Sequence, residues 1–159
     1  MMSAKSNWSY LVALVAAVGL VMVSCKSGGE AVPDPQPLPS ERDFTGVWYS
    51  KQFEHMHLKQ RGDRVVGIFT YETGGRIEGT ADGNVLTFQW TEPGDRQAAV
   101  RSQSGQGYFQ LVKEGDKFML EGEWGYGENR TGGGPWTAEY IRELEPEDPM
   151  TLEELEEVR

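Results

Sequence analysis

Residues 117–127 read KFMLEGEWGYG. Phe118, Leu120, Gly122 and Trp124 fall on one side of an extended chain, with Met119, Glu121 and Glu123 on the other. A helix would scatter these positions around its circumference, whereas a strand sorts them into one dry face and one wet face. The same period of two runs through VVGIFTY at 65–71, where Val65, Gly67, Phe69 and Tyr71 share a face. It returns in NVLTFQWTE at 84–92, where Leu86, Phe88 and Trp90 alternate with Val85, Thr87, Gln89 and Thr91.

Turn signals separate these runs about every ten residues: Arg61-Gly62-Asp63, Gly74-Gly75, Asp82-Gly83-Asn84, Pro93-Gly94-Asp95, Glu114-Gly115-Asp116 and Gly132-Gly133-Gly134. Gly, Asp and Asn supply the positive φ angles that tight hairpins need. The spacing predicts eight strands, near 44–52, 55–61, 64–72, 75–82, 84–92, 106–114, 117–126 and 135–142. A weak repeat places a glycine two residues before an aromatic, as in Gly46 and Trp48, Gly67 and Phe69, and Gly122 and Trp124. The glycine makes room beneath a large neighbour and lets a strand bend. Eight such strands are expected to close into an antiparallel up-and-down β-barrel, which removes both sheet edges.

FTGVWYS at 44–50, with its early Gly-x-Trp, resembles the first strand of the calycin superfamily of lipocalins, fatty-acid-binding proteins and avidins. VVGIFTYE resembles the second conserved avidin strand, and PWTAEYIR stands where that family's last strands lie. The resemblance covers 44–142 and implies an eight-stranded barrel, and it says little about a ligand. Ser50 stands where avidins carry a polar asparagine and Phe69 where they carry a tyrosine, so biotin recognition is not expected. By the lipocalin resemblance, Arg142 would correspond to the last-strand arginine that packs over the first-strand tryptophan in that family.

The aromatics carry two readings. Gly46, Trp48, Phe69, Phe88, Trp90, Phe118, Trp124 and Trp136 either line a cup for an apolar or planar ligand or fill the barrel as its own core, for which an eight-stranded barrel is just wide enough.

Catalytic constellations are thin, and no enzyme is expected. His55 and His57, the only histidines, share one face of a strand with no third metal ligand in view, so no metal or cofactor is expected and they read as solvent-facing. Glu121 and Glu123 read as the wet side of their strand rather than as an acid/base pair. No Gly-x-Ser-x-Gly elbow occurs, and RSQSGQG at 101–107 reads as a polar loop rather than a phosphate cradle.

The flanks say where the protein works. Lys5 precedes LVALVAAVGLVMV, an apolar run of 13 residues, too short for a spanning helix, which needs roughly 20, and matched to a signal-peptide core at 1–24. The following Met22-Val23-Ser24-Cys25 resembles the bacterial lipobox. That resemblance implies cleavage before Cys25, diacylation of its thiol and anchoring in the cell envelope, at the outer membrane of a Gram-negative host because Lys26 rather than aspartate follows the cysteine. Cys25 is the only cysteine, so it has no intramolecular disulfide partner.

Residues 25–43 form a spacer with Pro33, Pro35, Pro37 and Pro39 at alternate positions, expected to be extended and semi-rigid. At about 3.1 Å per residue it would hold the domain up to roughly 50 Å from the lipid. After the barrel domain at 44–142, residues 143–159 carry eight acidic side chains and one basic. They make either an acidic tail or a short helix capped by Thr151 and Glu154 with a Leu152, Leu155 and Val158 stripe. With a net charge of −10 and no cationic patch, nucleic acid is excluded as a partner.

The leading expectation is therefore an envelope lipoprotein whose barrel binds, without transforming it, an apolar small molecule or another envelope component. The alternative is a structural or interaction protein with a solid barrel and no small-molecule ligand.

Overall fold

A computed structural model describes residues 32–94, 99, 101–141 and 144–146. The fold is all-β: β1 (Gly46–Ser50), β2 (Glu54–Arg61), β3 (Arg64–Phe69), β4 (Gly75–Asp82), β5 (Val85–Glu92), β6 (Gln103–Glu114), β7 (Lys117–Tyr126) and β8 (Gly134–Tyr140). Each strand pairs antiparallel with the next, and β8 returns to β1 to close the barrel. No helix occurs among the described residues. The signal segment, Cys25, Arg142 and the acidic helix expected at 151–158 lie outside them.

Three hairpins at one end share one design. Arg61 pairs with Arg64, Asp82 with Val85 and Glu114 with Lys117 across two-residue turns. Their first residues, Gly62, Gly83 and Gly115, have φ of 62°, 52° and 59°. Only glycine takes this conformation without steric cost, and its place first in a primed turn matches the twist of the flanking strands. Because the meander alternates direction, these turns form one end of the barrel, called the base, and the other four connections form the mouth.

The interior follows from register. Side chains that meet across neighbouring strands form rows, and along the rows a large ring alternates with a glycine. One row runs Gly79, Phe88, Gly107, Trp124, Gly134; another runs Leu86, Phe109, Gly122, Trp136. Of the glycines in the expected repeat, Gly46 makes room for the Tyr140 ring of β8, whereas Gly67 and Gly122 stand against the backbone of His57 and Tyr108, so the room lies toward the adjacent strand. A Cβ on Gly75 would enter the Phe69 ring, and one on Gly105 would meet the Trp90 indole at 2.8 Å. Alternating large and small residues is how a narrow barrel is filled without voids.

Trp136 sits at the centre of the core, with ring centroids of Phe53, Phe69, Phe88 and Phe109 at 4.2, 5.5, 5.7 and 5.3 Å. Most of these contacts are edge-on, the arrangement that aromatic quadrupoles favour.

Two segments depart from the sequence-based expectation. Gln103 to Gly105, expected only in a polar loop, extend the strand expected from 106 and belong to β6, because Gly105 is a small inward position opposite Trp90. The second is the proline-rich stretch, which from Gln36 onward lies against the base. The Gln36 N–H donates to Asn84 Oδ1 and its carbonyl accepts from the Asn84 N–H, both at 2.8 Å. Leu38 packs on the core, and the Arg42 guanidinium lies 3.8 Å over the Tyr140 ring. The alternating prolines remove only every second amide, leaving Gln36 free to pair.

Candidate functional site

The base is solid. Trp48 and Phe44 are fully buried, and the Trp48 indole N–H donates to the Phe44 carbonyl at 3.0 Å. Tyr140 meets Trp48 edge-on at 5.4 Å and lies where a Cβ on Gly46 would collide with it. The Gly46 and Trp48 pair therefore belongs to packing at the base and is no part of a cup. Phe118 is buried at the same end, 5.7 Å beneath Arg42.

The mouth is different. There the barrel opens into a cup of about 280 Å³. Phe53, Phe69 and Trp136 form its floor, Trp90, Trp124, Tyr71 and Tyr126 its walls, and Gln52, Glu72, Glu92 and Gln103 its polar lining. Of the residues singled out in the sequence, Phe69, Trp90, Trp124 and Trp136 thus line the cup. Phe88 lies deeper, stacked on Phe109 at 4.7 Å.

Local chemistry sets each wall. The Ser50 hydroxyl accepts from the backbone N–H groups of Gln52 and Phe53 at 3.3 and 3.4 Å. This folds the β1–β2 turn inward and lays Phe53 on Trp136. Trp90 is pinned by donation from its indole N–H to the Gly125 carbonyl at 3.2 Å. Trp124 stands over Gly133, whose missing Cβ makes room for the indole. Trp90, Trp124 and Tyr126 meet pairwise at 81°, 79° and 65° with centroids 5.0 to 5.7 Å apart, so three faces stand nearly at right angles. Tyr126 is 54 % exposed at the rim.

The indole N–H groups of Trp124 and Trp136 are buried without an acceptor among the described residues. A buried donor left unpaired costs about 1–3 kcal/mol.

The carboxylates are held in tension. Burial, and after it the charge of Glu72, pushes the Glu92 carboxyl above its ordinary pKa. Tyr71 is also raised, chiefly by its hydrogen bond to Glu72 and then by the Glu72 charge. Glu72 itself has φ of 49°, a left-handed conformation that costs a non-glycine residue roughly 1–2 kcal/mol. Strain of this kind collects at ligand sites.

His55 and His57 lie on the outer face, His55 against the Tyr49 ring at 5.2 Å, and no cluster of three metal-ligating side chains exists among the described residues. Glu121 and Glu123 point outward from β7, as expected. Sequence reading missed Phe53, Tyr126, Glu72 and Glu92 as members of a site. The available signal was the alternation of the meander, which sends the connections after β1, β3, β5 and β7 to one end. Comparison of the chain with protein-family models, curated proteins and solved structures finds no match.

Proposed function

We propose that this protein is an envelope-anchored lipoprotein whose barrel is a non-catalytic binding module for a small molecule taken up at the mouth. The observation that carries the reading is the cup, lined by seven aromatic and four polar side chains and set at the end opposite the N-terminal segment. The volume of about 280 Å³ stands at the small end of ligand pockets, which run from roughly 300 to 1,000 Å³. It suits a compact ligand rather than an acyl chain. The lining supplies contact area and orientation and offers no activated nucleophile.

Anchoring through Cys25 fits this geometry. Residues from Gln36 lie on the base, so the tether is the eleven residues 25–35, about 30 Å in a polyproline conformation. A chain leaving from the base turns the mouth away from the lipid surface. Lys26, where an inner-membrane retention signal would carry aspartate, supports the outer membrane of a Gram-negative host.

The packed lower barrel favours the second reading, an interaction protein that uses its rim alone. Native mass spectrometry of the host-purified protein separates the two, together with ligand-observed NMR against small aromatic fragments. A retained small molecule, or fragment signals lost when the cup is occupied, supports the cup. Silence in both experiments overturns it. Cys25→Ser should release the protein from membranes with the barrel folded, and unchanged membrane fractionation would refute the anchor.

A further inference from the structure

We infer that the cup selects a small organic cation, an alkylated ammonium seated against the faces of Trp90, Trp124 and Tyr126 and balanced by the carboxylates of Glu72 and Glu92. The inference rests on the proposed reading of the cup as a ligand site and names the chemistry of what enters it.

Three observations converge. The first is the mutual angle of the rings. Trp90, Trp124 and Tyr126 all line the cup and meet at 65° to 81°, so ring planes of different orientation surround it, each with the negative side of its quadrupole on its faces. A cation within about 6 Å of such faces is attracted, most strongly by tryptophan, and quaternary ammonium groups are recognised by cages of this kind. The second is the sign of the lining charge. Glu72 and Glu92 belong to the cup, and no Lys, Arg or His lines it among the described residues. The third is the cost of that arrangement when empty. Glu92 is partly desolvated beside the like charge of Glu72, and Glu72 is held in a strained backbone conformation. An entering cation offsets the first cost, whereas an anion would add to it.

The walls also argue against a hard metal ion. Calcium takes six to eight oxygen ligands and magnesium keeps near-octahedral water and carboxylate, whereas this cup offers two carboxylates among seven aromatic side chains. A bulky, weakly hydrated cation loses little on leaving water and gains the ring faces.

The test uses the full chain as processed by its host and follows tryptophan fluorescence and NMR line shapes. Choline is titrated against 3,3-dimethylbutan-1-ol, which has the same shape without the charge, and indole is run alongside as an uncharged aromatic. Choline should bind at least about tenfold more tightly than its neutral isostere. The double variant E72Q/E92Q, with an unchanged circular dichroism spectrum, should lose about tenfold in choline affinity and nothing for indole. Equal binding of choline and its isostere, or unchanged choline affinity in the double variant, overturns the cation inference and leaves the cup standing. Binding of indole with no binding of choline does the same. If none of the three probes binds, both the inference and the cup reading fall.

Discussion

Gly107 on β6 lies between Phe88 of β5 and Trp124 of β7 in one inward row, and a Cβ placed on it would stand 2.5 Å from Phe88 Cζ and 2.8 Å from the Glu123 carbonyl oxygen. Neither distance is tolerated by real atoms, and the backbone oxygen has little room to retreat. The absent side chain is therefore a packing element in its own right.

Gly107→Ala should destabilise the barrel by about 1–3 kcal/mol, the usual cost of overfilling a well-packed core. Phe88→Leu, which removes the far end of the ring, should recover part of that loss in the double variant. Urea denaturation of the two single variants and the double reads the coupling. Strict additivity would show that Gly107 and Phe88 do not share the space.

Trp48→Ala empties a fully buried site at the base and leaves the Phe44 carbonyl without its indole donor. The expected cost is about 3–5 kcal/mol. Ligand affinity of the folded fraction should be unchanged, because Trp48 does not line the cup. A melting temperature close to the parent's would refute the packing role.

The strands were legible in the sequence because two physical rules act locally: side chains alternate across a pleat, and Gly-Asp or Gly-Asn pairs fit a primed turn. Residues 103–105 were not, since a run of Gln, Ser and Gly has no apolar alternation. Gly105 and Gly107 become inward positions only when Trp90 and Phe88 arrive from the next strand. The strap at Gln36 was hidden for a similar reason: its partner, Asn84, is 48 residues away. The cup was half legible. Trp90, Trp124 and Trp136 announce themselves as large inward residues, while Phe53, Glu72 and Tyr126 lie in or beside turns and meet only when the meander closes.

Asn84 holds the strap to the barrel through two bonds and is itself tied to β6 by a third. Its Oδ1 accepts from the Gln36 N–H, its Nδ2 donates to the Leu111 carbonyl at 3.1 Å, and its own N–H donates to the Gln36 carbonyl. It is 7 % exposed, so water cannot replace these bonds. Asn84→Ala should cost about 1–3 kcal/mol and expose residues 36–43 to limited proteolysis earlier than the barrel itself. Equal protease resistance in parent and variant would show that the Asn84 side chain is dispensable and that the backbone bond to Gln36, Leu38 and Arg42 hold the strap.

Glu92 gives the protein a pH-dependent stability term with a definite sign. Its carboxyl has a raised pKa in the folded state, from burial first and from the Glu72 charge second, so the folded chain holds a proton that the unfolded chain has already released. In that window stability falls as pH rises, and above the folded-state pKa the full penalty is present. Below the ordinary glutamate pKa of about 4.3 both states are protonated and the penalty vanishes. Glu92→Gln should therefore raise the melting temperature at pH 7 and leave it unchanged near pH 3, while Glu72→Gln, by removing the neighbouring charge, should shrink the advantage of the Glu92 substitution. Thermal denaturation of the parent, both single variants and the double variant at the two pH values measures this directly. A Glu92→Gln variant no more stable than the parent at pH 7 would show that the carboxylate is already well solvated or paired, and that the mouth of the cup is less apolar than its lining implies.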